Sequence, residues 1–153
     1  MLNVGDAVPE FAAEGDGGQR VTRADLLGKR SVVYFYPKDD TPGCTTEAKD
    51  FTAKKADFDA LGVRVYGVSK DTVASHCKFR DKYGLGVTLL SDASLAMQKA
   101  FGAFGEKVMY GKKMEGTIRS TFVIGADGRV THAWPRVKVA GHVDAVLAAL
   151  RTG

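Results

Sequence analysis

Ser31-Val-Val-Tyr-Phe-Tyr36 carries no charge and no alternation of polar with apolar residues. β-Branched and aromatic side chains at nearly every position suit a strand buried on both faces, and such a strand lies inside a sheet covered on both sides. Pro37 ends it. Lys38-Asp-Asp-Thr-Pro-Gly43 is dense in turn formers, and beyond it Ala48, Phe51, Phe58 and Leu61 recur on one helical face. The spacing predicts a helix from about Thr45 to Leu61, closed by Gly62. The alternation continues with a strand at Val63–Ser69, a helix at Thr72–Tyr83 stopped by Gly84, a strand at Val87–Leu90, and a helix opened by Ser91-Asp-Ala-Ser-Leu95 and running to Phe101. Upstream, Phe11–Ala13 and Gln19–Thr22 flank a glycine-rich turn and read as a hairpin; Asp25-Leu-Leu-Gly28 reads as one helical turn. Downstream, residues 102–116 read as a long loop punctuated by Gly102, Gly105, Gly111 and Gly116. Ser120–Ile124 and Arg129–Trp134 then flank a tight Gly125-Ala-Asp-Gly128 turn, and a last helix covers Val139–Leu150. Strand–helix alternation gives a parallel core, and the late hairpin adds antiparallel edges. The expected fold class is α/β: a mixed central sheet flanked by helices on both faces, with an N-terminal β-hairpin extension.

The chain of 153 residues fits one domain, taken as 1–153. Apolar residues at 44% and charged residues at 26% argue against a disordered chain. No apolar run approaches the ~20 residues of a membrane span, so no membrane partner is expected. Met1–Glu10 has two acids and no Lys or Arg. It does not read as a secretory signal, and the expected location is the cytoplasm. The net charge of +4 is mild and interspersed, densest at Lys107, Lys112 and Lys113. With no aromatic-and-basic motif and no helix-turn-helix pattern, no nucleic-acid partner is expected. Two cysteines, Cys44 and Cys77, are too few for a secreted disulfide scaffold. Cys77 adjoins His76, but His132 and His142 have no partner at metal spacing, so neither a metal nor a cofactor is expected. His132 and His142 read as structural, His76 as a surface or partly buried helix residue, and Trp134 as part of the core.

Cys44 lies where the turn-rich loop becomes a helix. Free backbone N–H groups and the positive end of the helix dipole meet there and favour a thiolate. Pro42 and Gly43 fix the approach. Glu47 can cap the helix by returning to a backbone N–H. A bland reading stands beside this one: buried cysteine is common, and Cys44 can share the helix face of Phe51.

The stretch Pro37-x-x-x-Thr41-x-x-Cys44 resembles the active-site motif of the peroxiredoxins, and Asp40-Thr-Pro-Gly-Cys-Thr-Thr-Glu47 resembles the subgroup called bacterioferritin comigratory protein or peroxiredoxin Q. Val4-Gly-Asp-Ala-Val-Pro-Glu-Phe11, Val65–Asp71 and Gly116–Ile124 extend the likeness over nearly the whole chain. The resemblance implies a thioredoxin-like fold and a thiol-dependent peroxidase for hydrogen peroxide and organic hydroperoxides. It makes Cys44 the peroxidatic cysteine, oxidised to a sulfenic acid. Thr41 and the Gly43 and Cys44 N–H groups would supply donors. Arg119 would stabilise the thiolate and hold the peroxide, Pro37 would shield the site, and Glu47 would orient Arg119. Taken alone, Arg119 reads as a solvated strand-end charge, the usual fate of an arginine, and Thr41 as a turn residue.

Many members of that subgroup carry a second cysteine five positions after the first, where this chain has Lys49. The resemblance leaves Cys77 as resolving cysteine, since a minority pattern places it in the next helix. It would form an intramolecular disulfide with Cys44 and be recycled by thioredoxin or a similar dithiol reductant, in a monomer. Helical geometry turns Cys77 away from Phe79, toward Lys78, Arg80 and Asp81. Its bland reading is an incidental half-exposed thiol. Two other functions stay open: a disulfide reductase, disfavoured because no Cys-x-x-Cys is present, and a redox-responsive binding module or holdase.

Overall fold

A computed structural model describes residues 1–152; Gly153, the last residue of the expected domain, lies outside them. Among the described residues, nine strands and five helices run in the order β1 (Ala12–Gly15), β2 (Arg20–Thr22), a 3₁₀ turn (Arg23–Leu26), β3 (Ser31–Phe35), α1 (Pro42–Ala53), α2 (Lys55–Ala60), β4 (Arg64–Ser69), α3 (Val73–Tyr83), β5 (Thr88–Ser91), α4 (Ala96–Phe101), β6 (Phe104–Met109), β7 (Lys112–Thr117), β8 (Ser120–Ile124), β9 (Val130–Trp134) and α5 (His142–Thr152). Seven strands form one sheet in the order β2-β1-β5-β4-β3-β8-β9. β3, β4 and β5 are parallel, while β8, β9, β1 and β2 join antiparallel. This is the mixed, thioredoxin-like sheet with an N-terminal hairpin that the sequence implies.

The Ser31 run behaves as its composition requires: all five residues of β3 are buried. Alternate side chains feed two cores. Val32, Tyr34 and Tyr36 pack with Phe51 of α1, Phe58 of α2, Phe79 of α3 and Val146 of α5. Val33 and Phe35 pack on the opposite face with Phe101 of α4, Phe122 and Leu26.

Five expected elements differ. The helix expected at 45–61 begins at Pro42, because proline at the first helical position loses no bond, and it breaks at Lys54 (φ −103°, ψ 10°) into α1 and α2. The N-terminal helical turn falls two residues early, at Arg23–Leu26. The helix expected to open at Ser91–Leu95 begins at Ala96, because Asp92 accepts bonds from the Met97 and Gln98 N–H groups at 3.1 and 2.8 Å and caps it from outside. The last helix starts at His142 rather than Val139. The expected 102–116 loop is the β6–β7 hairpin, a sheet of its own. Tyr110 and Gly111 both take positive φ, 54° and 76°, as a two-residue primed turn needs. The late hairpin also supplies only one edge: β9 is the rim, whereas β8 is interior beside β3.

The β3–β8 pairing is what builds the site. Its register sets Phe35 opposite Ser120. The loop leaving β3 and the residue entering β8, Arg119, therefore meet at one end of the sheet.

Candidate active site

Thr41 is the extended residue before α1, and Pro42, Gly43 and Cys44 form its first turn. The first ladder bond runs from Thr45 N–H to the Thr41 carbonyl at 2.8 Å, so the Gly43 and Cys44 N–H groups precede the ladder. The sequence set Cys44 at the loop–helix junction; it is the third residue of α1, within the first turn, and is 2% exposed. Its Sγ accepts a hydrogen bond from Arg119 Nη2 at 3.2 Å. The same guanidinium donates from Nη1 to Glu47 Oε1 at 2.8 Å. Gly43 leaves room for this approach: a β-carbon there would stand 3.3 Å from Arg119 Nη2, tight enough to push the guanidinium by a few tenths of an ångström. The Arg119 carbonyl in turn accepts from Val137 N–H at 2.9 Å, which pins its backbone.

Of the two readings of Glu47, the cap fails. Its side chain is fully buried and turned to Arg119, and Oε2 has no hydrogen-bond partner among the described residues. Burial pushes its carboxyl up to about 7, against Arg119, which pulls it down. Burial opposes the charge on Arg119, but Glu47 and Cys44 outweigh that and raise its pKa. The solvated-charge reading of Arg119 therefore does not hold. Behind α1, His142 Nε2 lies 2.8 Å from Thr121 Oγ1, and the ring meets Phe51 edge-on. Burial first and the Arg119 charge second push this imidazole down to about 4.

Pro37 is half-buried and joins Lys107, Thr117, Ile118, Arg136 and Val137 around a shallow depression of about 250 Å³ beside Arg119. Lys107 donates to the Thr117 carbonyl at 3.0 Å. Burial, then Arg119, lower its pKa. Sequence reasoning missed Lys107 and Arg136 as site neighbours, because it read the hairpin that carries Lys107 as a loop. Thr41 stands in the expected place, but its hydroxyl proton goes to the Lys38 carbonyl at 2.8 Å.

Cys77 lies apart from this cluster. It is half-buried on α3, and its thiol donates to the Asp16 carbonyl at 3.2 Å, a carbonyl that also accepts from Arg80 Nη1 at 3.0 Å. Both cysteines are free. Lys49, at the position of the missing second cysteine, places its ammonium 5.7 Å from the centre of the Tyr83 ring. His76 is neither the surface nor the partly buried residue expected. It is fully buried and bonded to Asp39 and the Leu90 carbonyl, not to Cys77. The stripe it forms with Phe79 and Tyr83 was the signal for that burial. Trp134 is half-buried against the core, stacked on His132.

The AhpC/TSA family profile matches residues 4–133. The chain belongs to that family. Within it, the chain is of the Bcp or peroxiredoxin Q kind. It is 50% identical over 135 residues to peroxiredoxin Bcp of Xanthomonas campestris pv. campestris, covering 88% of this chain and 84% of that one. It is 38% identical over 146 residues to peroxiredoxin Bcp of Escherichia coli K12, covering 95% and 94%. A solved structure of Xanthomonas campestris peroxiredoxin Q superposes with a TM-score of 0.90 at 46% identity, over 99% of this chain and 96% of that one. Another structure, of the bacterioferritin comigratory protein of the same organism, was solved to explain its alkyl peroxide reduction activity. Membership among these peroxiredoxins implies a peroxidase, an oxidoreductase acting on hydroperoxides with a reductant. No helix among the described residues is long and apolar enough to cross a membrane.

Proposed function

We propose that residues 1–153 form one monomeric cytoplasmic domain that reduces hydrogen peroxide and alkyl hydroperoxides through Cys44. The observation that carries this reading is the Cys44–Arg119–Glu47 chain: a buried sulfur in the first turn of a helix, with a fixed guanidinium 3.2 Å away. The Cys44 thiolate attacks the terminal peroxide oxygen. The S–O bond forms as the O–O bond breaks, and the leaving alkoxide or hydroxide takes a proton to become alcohol or water. Charge moves from sulfur to the leaving oxygen, where Arg119 and the Gly43 and Cys44 N–H groups stabilise it. Thr41 Oγ1, its proton directed at Lys38, offers a lone pair to the peroxide O–H. Pro37 keeps water from the sulfur.

Cys77 then attacks the Cys44 sulfenic sulfur. The S–S bond forms, the S–O bond breaks, and the hydroxide leaves as water. In the reduced protein Cys44 is held by Arg119 in the first turn of α1 and Cys77 by the Asp16 carbonyl on α3, so closure must break both contacts, and the first turn of α1, or α3, or both open to allow it. Helix ends are low-stability units that can do so. A thioredoxin-type dithiol returns the enzyme by exchange. Peroxide consumption with reductant, in wild type and Cys44→Ser, is the test. Loss of all turnover in the variant supports the reading. Surviving peroxidase activity overturns it, and disulfide reductase activity without peroxide consumption would favour the reductase instead.

A further inference from the structure

His76, the neighbour of Cys77, takes no part in the chemistry above, yet it is bonded at both ring nitrogens. Its Nε2 lies 2.9 Å from the Leu90 carbonyl, which can only accept, so Nε2 carries a proton. Its Nδ1 lies 2.7 Å from Asp39 Oδ2. A neutral ring protonated at Nε2 would turn a lone pair on that carboxylate oxygen. Asp39 accepts from Tyr36 Oη at 2.6 Å and from Ser75 Oγ at 2.8 Å on its two oxygens, as a carboxylate does. Against that carboxylate the contact is attractive only with a proton at Nδ1 as well, which makes the ring an imidazolium. The groups around the ring are Tyr36 leaving β3, Asp39 in the next loop, Asp71 before α3, the Leu90 carbonyl on β5, and Ser75 and Cys77 on α3 itself. Burial opposes the ring's charge, but the Asp39 bond and charge, the Leu90 carbonyl and Asp71 outweigh it and raise its pKa. Asp39, Asp71 and His76 present ligand-type atoms within 4.8 Å of one another. With both His76 nitrogens engaged, the cluster is a strap rather than a metal cage.

The strap joins the two cysteine helices. Asp39 belongs to the loop that runs into Cys44, and the next residue, Asp40, reaches the other end of α3, accepting from Lys82 at 2.8 Å and from Tyr83. The inner contact is buried, with side-chain exposures of 0% and 4%, whereas the Asp40 pair is solvated and screened. We propose that the His76–Asp39 pair is a latch that holds α3 closed and sets how fast Cys77 reaches an oxidised Cys44. This rests on Cys77 being the resolving thiol. His76 and Asp39 are positioning residues: they touch neither peroxide nor sulfur. Loss of the Nδ1 proton turns the attraction into a lone-pair clash, so the latch loosens as pH rises.

Closure is followed after one equivalent of hydrogen peroxide by acid quench, thiol alkylation and mass spectrometry, in wild type, His76→Gln and Asp39→Asn. Hydrogen exchange of α3 in the reduced proteins is measured in parallel. In His76→Gln, closure and α3 exchange at pH 7 should each rise roughly tenfold, as for loss of a charged buried hydrogen bond, with Cys44 oxidation changed less than about threefold. General loss of structure would slow the oxidation too. In Asp39→Asn, whose amide can donate to a neutral ring, closure should lose the part of its pH rise that Cys77 alkylation in Cys44→Ser does not share. A Cys44–Cys77 bond that forms with wild-type closure and α3 exchange in His76→Gln overturns the latch. If no such bond forms in any of the proteins, the pairing itself fails, and α3 exchange alone decides the latch. Should His76→Gln not fold, wild-type α3 exchange that shows no loosening from pH 6 to 9, beyond the intrinsic rate, overturns it.

Discussion

The two cysteine helices are held in opposite ways. On α1 the restraint converges on the sulfur itself: Cys44 is buried, and Arg119 reaches it while bonded to Glu47. On α3 the sulfur has one thiol bond to the Asp16 carbonyl, and the restraint is on its neighbours, His76 and Ser75 inside and Lys82 and Tyr83 outside. A thiol that must meet a small oxidant gains from fixed charge around the reacting atom. A thiol that must travel gains from fastenings that release it whole. On the proposed reading of Cys77 as the resolving thiol, the difference separates a site built for chemistry from one built for motion.

The strongest test of this contrast is Arg119→Ala. It removes the guanidinium from Cys44 and leaves Glu47 without its partner. By analogy with loss of one transition-state donor, the second-order rate of Cys44 with hydrogen peroxide should fall on the order of 100-fold or more. Alkylation of Cys77, measured in the same samples, should be unchanged, because Arg119 does not touch it. Equal slowing at both thiols would show a general disturbance and erase the contrast. Arg119→Lys should recover little, since an ammonium cannot serve Cys44 and Glu47 with two parallel donors.

Glu47→Gln is expected to act through pH. The folded carboxyl, near 7, lies above its ordinary 4.5. A raised acid contributes stability that is complete below about 4.5 and is lost as pH rises through about 7. The glutamine variant has no such loss, so above pH 7.5 it should gain about 1–3 kcal/mol relative to wild type in urea unfolding. Its amide can still accept from Arg119, but without the counter-charge the peroxide rate should lose its inflection near pH 7 and fall roughly tenfold at pH 8.

Much of this arrangement was legible in the sequence, for reasons that can be named. The apolar Ser31–Tyr36 run sets a doubly covered strand, and Pro42-Gly-Cys44 sets a helix start whose dipole faces a sulfur. Arg119 was reachable only through the likeness of Gly116–Ile124 to a known family, because nothing local says that β8 enters beside the end of β3. That adjacency is a property of sheet order. The β6–β7 hairpin was hidden because its glycines read as loop, whereas Gly105 and Gly116 are cross-strand partners and only Gly111 sits in the turn. His76 was misplaced for a different reason. Its polarity outweighed its position on the Phe79 stripe, and its partner Asp39 lies 37 positions away in the chain.

Two buried histidines sharpen the comparison, one behind each cysteine helix, with opposite signs. His142, held near 4 by burial and Arg119, is neutral in the fold. Its contribution is complete above about 6.5 and is lost as pH falls through about 4. His76 is raised, so its contribution is complete below about 6.5 and is lost as pH rises through its folded value. Hydrogen exchange corrected for its intrinsic pH dependence should therefore show α1 and α5 loosening toward acid and α3 loosening toward alkali. In His142→Gln the acid-side loss, on the order of 1–2 kcal/mol between pH 6.5 and 4.5, should disappear while α3 behaves as in wild type. Parallel loosening of all three helices at both extremes would mean that the two sites are one cooperative unit.

The smallest expected effect is also the most selective. Gly43 stands in the first turn of α1 with a negative φ, so alanine suits its backbone and should favour the helix, stabilising the reduced protein by up to about 1 kcal/mol. The added β-carbon would meet Arg119 Nη2 at 3.3 Å, closer than a comfortable contact, and the guanidinium must give by a few tenths of an ångström. Moving the donor that far from Cys44 should slow peroxide attack roughly three- to tenfold, short of the loss on removing the arginine outright. Stopped-flow oxidation and urea unfolding on the same preparation read both quantities. A slower but more stable Gly43→Ala would show that the helix start is tuned to the placement of Arg119 at the cost of helix stability. An unchanged rate with Arg119 visibly displaced would mean that the guanidinium acts on Cys44 through its charge alone, and not through a directed bond.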